Sequence, residues 1–162
     1  MTPDRPQTRS VQRSAPPGEQ SAEQNGVLAA AIAARYAEGG AGFMHDLGLT
    51  IVEAEPGRVR FTLQVTDHLV HGGGVLCGQT ILACMDTGMV FVMISLEEAA
   101  DRNFTTVQLQ TVFERGVPAD VGEVTFDAQV TKAGRSLVFG QIDLLLPDGR
   151  RAATATTTYM WL

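Results

Sequence analysis

Hydrophobic residues recur along this chain with one period, then another, then the first again. From Gly26 to Glu38 the residues Leu28, Ala29, Ala30, Ala31, Ile32, Ala33, Ala34 and Tyr36 predict an alanine-rich amphipathic helix, ended by Gly39-Gly40. Phe43 to Leu47 suits a further helical turn. The period then changes to two. Leu49 to Glu55 reads as a strand, and Pro56-Gly57 as the centre of a turn, with Pro presetting φ and Gly permitting positive φ. Val59, Phe61, Leu63 and Val65 alternate with Arg60, Thr62 and Gln64, the pattern of a half-buried strand that closes a hairpin.

A second helix is predicted over about Gly78 to Leu96. Its apolar residues, from Ile81, Leu82, Cys84 and Met85 through Met89 to Ile94, fall on nearly every face, which predicts a buried helix. Beyond it the period returns to two in four strands: Thr105 to Phe113, Val121 to Lys132, Ser136 to Leu146 and Arg151 to Trp161. Gly116 and Pro118, then Gly134, then Pro147-Asp148-Gly149 mark the connections. Short links predict antiparallel neighbours. A hairpin, a long buried helix and a following meander make an α+β fold, with a curved antiparallel sheet wrapped around a central helix.

Residues Met1 to Asn25 carry almost no large apolar side chains and are rich in Pro, Ser, Gln, Arg and Glu. Such a segment buries too little surface to offset its ordering entropy, so 1–25 is expected as a disordered tail and 26–162 as one domain. Its arginines, Arg5, Arg9 and Arg13, read as a solvated tail more readily than as a targeting signal. The net charge of −6 argues against a nucleic-acid partner, which calls for a basic face. The apolar run Ile81 to Ile94, interrupted by Asp86, Thr87 and Gly88, is too short to span a bilayer. Cys77 and Cys84 both fall in the second predicted helix, seven residues or roughly 10 Å of rise apart, so they are not expected to pair. Unpaired cysteines and the absence of a signal-peptide pattern suit a cytoplasmic protein.

Candidate chemistry gathers at the start of the second helix. His71-Gly72-Gly73-Gly74 and Gly78 surround a helix N-terminus, where free N–H groups and a positive partial charge can bind a carbonyl oxygen that becomes negative in a transition state. The plain alternative is a flexible turn without a ligand. No Lys-Ser or Lys-Thr follows, so this is not a phosphate loop. Asp86 stands in mid-helix among Cys84, Met85 and Met89, where an unpaired carboxylate is costly. It is a candidate general base or nucleophile; the alternative is a structural partner for strand N–H groups or an arginine. Gly78 and Asp86 are eight residues apart, roughly 12 Å along the helix axis. One carbonyl cannot touch both within one chain, so a shared role requires a two-fold oligomer. His68, His71 and Cys77 match no zinc pattern, and neither metal nor cofactor is expected. Arg115 and Arg135 are turn residues able to meet a phosphate. Met85, Met89 and Phe113 suit an apolar or aryl acyl pocket, or ordinary core packing.

These residues resemble the hotdog-fold acyl-CoA thioesterases of the phenylacetyl-CoA thioesterase type, over about Phe43 to Trp161. The resemblance rests on Leu47-Gly48, Glu55-Pro56-Gly57-Arg58-Val59, the glycine run, the helical Asp86, Gly134-Arg135 and the final strand from Ala152 to Tyr159. The family pattern is Asn-x-x-Gly-x-x-His-Gly-Gly, with an Asp nine residues after the His. Anchored on Asp86, it places His71 at the Asn, Gly74 at the first Gly, Cys77 at the His, Gly78 at the next Gly and Gln79 at the last. His71-Gly72-Gly73 spells His-Gly-Gly in another register, but leaves Asp86 nearly two turns too far along.

The resemblance implies hydrolysis of an acyl-CoA by a homo-oligomer, a dimer or a dimer of dimers. The Gly78 N–H polarises the thioester carbonyl, with His71 in the place of the family Asn as a second donor. Asp86 of the partner subunit acts as base or nucleophile. Thr106 falls near the family hydroxyl that holds the attacking water. Gly74, Cys77, Gln79 and Arg135 are the implied substrate-binding positions. The departures at His71 and Cys77 also suit a non-catalytic acyl-CoA-binding or regulatory protein. A hotdog dehydratase would need an Asp–His pair near the helix.

Overall fold

The computed structural model describes residues 22–40 and 42–162. The expected tail therefore lies, up to residue 21, outside the described residues. Helix α1 (Ala22–Gly39) begins ahead of the expected Gly26. The Gly40 N–H donates to the Tyr36 carbonyl at 2.7 Å and closes it. One turn, α2 (Gly42–His45), follows. Ile32 is fully buried, and the Tyr36 ring meets Phe91 edge-on at 4.9 Å, so α1 docks on the central helix through a narrow apolar stripe.

Strands β1 (Thr50–Glu55) and β2 (Arg58–Gln64) form the expected hairpin, with Gly57 at φ 82° in its turn. A 3₁₀ turn (Asp67–Leu69) leads to a small hairpin, β3 (Val70–His71) and β4 (Val75–Leu76). The central helix α3 spans Gly78–Ile94. At its end Ser95 Oγ donates to the Val92 carbonyl and accepts from the Gly57 N–H at 2.9 Å, tying the β1–β2 turn to the helix C-terminus. A second 3₁₀ turn (Glu97–Ala100) precedes β5 (Phe104–Phe113), β6 (Glu123–Ala133), β7 (Leu137–Leu145) and β8 (Arg151–Trp161).

Among the described residues, the six long strands form one antiparallel sheet in the order β1-β2-β6-β7-β8-β5. This corrects the predicted four-strand meander. Only β6, β7 and β8 run as neighbours; β5 pairs with β8 at the far edge. The reason lies in the link 114–122, which is no tight turn. It buries Val117, accepts the Leu76 N–H on the Val117 carbonyl at 2.8 Å, and bridges Pro118 to Val75. The link is spent on the approach to α3 and not on closing a hairpin.

The helix packs against one face of the sheet. Phe61 of β2 stacks on Phe126 of β6 at 4.9 Å and meets Phe91 of α3 edge-on at 5.3 Å. Two glycines set the depth of the contact. A Cβ on Gly88 would lie 2.6 Å from the Phe61 ring, and one on Gly140 would lie 2.5 Å from Met89 Sδ. The expectation of burial on every face needs one correction. Gln79 and Leu82 are exposed, and Asp86, Val90 and Ile94 are only half-buried. Their three- and four-residue spacing makes one uncovered stripe along α3.

Candidate active site

The approach to α3 is a chain of local constraints. In the β3–β4 turn the Gly74 N–H donates to the His71 carbonyl at 2.9 Å, with Gly74 at φ 75°, a region L-residues rarely adopt. The Gly73 N–H donates to His71 Nδ1 at 2.9 Å, and a Cβ on Gly73 would lie 2.6 Å from the same ring. The glycines thus let the turn close and let His71 fold over it, with Nδ1 as the acceptor and the remaining proton on Nε2. The Cys77 N–H donates to the Leu69 carbonyl at 2.8 Å, and Gly78 opens the helix. The first N–H groups of a helix have no intrahelical acceptor, so Gly78 brings an unspent donor to the surface. His71 and Gly78 share a cleft of ≈ 340 Å³ with Ile81, Phe113, Arg115 and Val117.

Cys77 is the N-cap residue of α3 and lies just outside the helix expected to contain it. Its thiol donates to Gln79 Oε1 at 2.9 Å. The backbone N–H of Thr80 is the main cause that lowers the Cys77 pKa. Cys84 is buried, which pushes its thiol up to about 12. Both are free. Gly74 and Gln79 are exposed, at the turn tip and on the first turn of α3.

Asp86 sits further along α3, facing the start of β5 and the end of β8. Its Oδ1 accepts from Thr106 Oγ1 at 2.9 Å and from the Tyr159 hydroxyl at 2.6 Å. The carboxylate is therefore partnered by two hydroxyls and, among the described residues, by no arginine. Burial raises the Tyr159 pKa far above the phenol range, and the hydrogen bond to Asp86 adds to this. The phenol stays a donor at every working pH. Asp86 also lines a cavity of ≈ 470 Å³ between α3 and the α1–α2 corner, with Tyr36, Phe43, Met44, Val90, Ile94 and Phe104 among its walls. Met85 and Met89, considered as pocket lining, are fully buried core residues instead. Phe113 stands half-exposed in the Gly78 cleft.

The structure thus brings His71 to Gly78, and Thr106 to Asp86, at two places on one helix. It brings Arg135 to neither cleft. Arg135 lies in the β6–β7 turn beside Trp161, and its carbonyl accepts from Arg102 Nη1 at 3.1 Å. Gly78 packs near Phe113, at the opposite end of β5 from Phe104, which pairs with Trp161. Tyr159 was missed in the sequence. Its signal was the alternation of β8: Ala153, Ala155, Thr157, Tyr159 and Trp161 face inward, and a buried Tyr requires a partner for its hydroxyl. Among the described residues, no group of three or more His, Cys, Asp or Glu is placed to hold a metal ion, and no helix is long and apolar enough to cross a membrane.

The geometry has counterparts. Residues 73–153 match the family model described as the thioesterase superfamily. The chain belongs to the thioesterase superfamily. A solved thioesterase family protein from Silicibacter pomeroyi is 28% identical, with 83% of this chain and 98% of that one covered and a TM-score of 0.73. Two more distant structures share the fold. The PaaI protein from the E. coli phenylacetic acid degradation operon is 18% identical, covering 83% of this chain and 96% of that one, with a TM-score of 0.71. A Streptococcus mutans protein solved with acetyl-CoA is 21% identical, covering 70% and 88%, with a TM-score of 0.64. Comparison with curated proteins returns no match. This thioesterase is a thioester hydrolase of the hotdog fold, with the long central helix that the fold requires. The matched span contains Gly74, Gly78, Asp86 and Thr106 but stops before Tyr159.

Proposed function

We propose that this thioesterase hydrolyses an acyl-CoA to the free acid and CoA, at sites built between two subunits. The observation that carries the reading is the separation of its two chemical groups. The free N–H of Gly78 and the carboxylate of Asp86 lie on one rigid helix, roughly 12 Å apart in rise, and line different clefts. A two-fold partner with an antiparallel central helix brings the Gly78 of one chain to the Asp86 of the other, twice per dimer. Edge strand β5 supports such pairing: it has β8 on one side only, and Val107, Val112 and Phe113 stand exposed along it. The assembly is a dimer or a dimer of dimers.

In this reading the Gly78 N–H, aided by His71, binds the thioester oxygen as it gains negative charge. Asp86 of the partner subunit takes a proton from water as the water oxygen bonds to the carbonyl carbon. The tetrahedral intermediate collapses with cleavage of the C–S bond, and the proton passes to the departing CoA thiolate. Thr106, Gly74, Cys77 and Gln79 surround these groups, and Arg135 is available to the phosphates of CoA. The acetyl-CoA complex of the Streptococcus mutans protein supports CoA as the carrier. The apolar walls from Phe43 and Met44 to Val90 and Ile94 favour an apolar or aryl acyl group. The free cysteines favour a reducing, cytoplasmic location.

The test is a panel of short, medium and aryl acyl-CoAs with detection of free thiol. On the best substrate, Asp86→Asn is expected to lower kcat by about 10²–10⁴, the contribution of a general base. Full activity in that variant ends the reading of Asp86. Tight acyl-CoA binding without turnover in the unaltered chain selects a binding protein instead.

A further inference from the structure

We propose that Tyr159 is a positioning residue for the reaction: together with Thr106 it holds Oδ1 of Asp86, so that Oδ2 alone is presented to the reacting water. The proposal rests on the reading of Asp86 as the base. Both hydroxyls converge on one oxygen, Thr106 Oγ1 at 2.9 Å and Tyr159 OH at 2.6 Å. Among the described residues, no hydrogen bond reaches Oδ2. The Tyr159 hydroxyl also lies 3.0 Å from the backbone carbonyl of Asp86. A phenol has one proton, and the shorter, charge-assisted contact takes it. The ring is 1% exposed, which fixes the donor in place.

The clamp is built by an irregularity of the sheet. Thr106 pairs directly with Tyr159, but the next partners are Gln108 and Thr158, so Val107 is an extra residue on β5. Strict alternation from Leu109 and Thr111, which sit on the helix side, would put Val107 inward and Thr106 outward. The bulge reverses this. Val107 stands 56% exposed and Thr106 turns to Asp86. Bulges re-aim side chains in this way beside active sites. A carboxylate needed only for packing would not require a bulged strand and a buried phenol on the same oxygen. A base that must meet one water in one direction does, because a small misplacement of a catalytic group costs rate heavily.

The experiment compares steady-state kinetics and thermal unfolding of the full chain and its variants, using the acyl-CoA turned over best. Tyr159→Phe is expected to lower kcat about tenfold to a hundredfold, the worth of one hydrogen bond to a charged group, with KM unchanged. Thr106→Val removes the second donor from the edge strand and keeps the test open if Tyr159→Phe unfolds; its kcat is expected to fall likewise, and Thr106→Ser to recover most of the loss. Unaltered kcat in folded Tyr159→Phe overturns the proposal. So does a loss confined to KM or to thermal stability. Full activity in Asp86→Asn ends the reading of Asp86 itself, whatever Tyr159→Phe does. An inactive Asp86→Asn beside a fully active Tyr159→Phe removes only the positioning role.

Discussion

At the scale of single residues, the two cysteines show how far environment separates identical side chains. Cys77 caps α3, where the Thr80 N–H favours its thiolate, whereas burial holds Cys84 protonated with a pKa of about 12. The attacking species in alkylation is the thiolate. Below pH 9 the folded protein is therefore expected to take up one equivalent of iodoacetamide, at Cys77, with the rate rising through a midpoint below that of a free cysteine. Peptide mapping by mass spectrometry checks the site. Modification of Cys84 at a comparable rate would contradict its burial. The sequence placed Cys77 at the start of the predicted helix, where a thiol pKa can fall, but the burial of Cys84 was not legible, because spacing cannot show which residue is covered by a sheet. Asp86 was legible because a carboxylate amid Cys84, Met85 and Met89 conflicts with its neighbours. Tyr159 was less so: the alternation of β8 turned it inward and its hydroxyl called for a partner, but nothing in the sequence named Asp86 as that partner.

Among the elements, the strands of the β1–β2 hairpin and of the β6–β7–β8 meander lie close to their predicted bounds, since each pairs with a chain neighbour through a short turn, and α3 does so because its apolar run is long. The partner of β5 was not legible. It is fixed by what link 114–122 does elsewhere, and the bulge at Val107 breaks the alternation that would have placed Thr106. Helix-to-sheet depth also depends on distant residues. Gly88 lies in α3, where alanine would gain ~1 kcal/mol of helix propensity. A Cβ there, however, would lie 2.6 and 2.7 Å from Phe61 ring atoms, and that ring is held by its stack on Phe126 and its edge contact with Phe91. Overpacking a core costs about 1–3 kcal/mol. Gly88→Ala is expected to lower the urea midpoint despite its better propensity. An unchanged or raised midpoint would show that the Phe61 stack yields.

The arrangement of the whole molecule decides whether one chain can catalyse at all. Gly78 and Asp86 open onto different clefts of the same subunit. If the site is shared, two inactive variants should repair each other. Asp86→Asn removes the base. Gly78→Pro removes the N–H at the first helical position, where proline is well tolerated, and the preceding Cys77, at φ −69° and ψ 137°, already has the extended conformation proline requires. Each variant alone is expected to be nearly inactive. In a hybrid dimer, the intact Gly78 of the Asp86→Asn chain faces the intact Asp86 of the Gly78→Pro chain, which restores one site of two. The other site carries both lesions. Random reassortment of equal amounts makes half the dimers hybrid, so activity should return to about a quarter of the unaltered level by the two-fold symmetry. Unfolding and refolding the two variants together, against each refolded alone, measures this. Catalysis within one chain predicts no recovery, because every subunit in the mixture then lacks one of its own two groups.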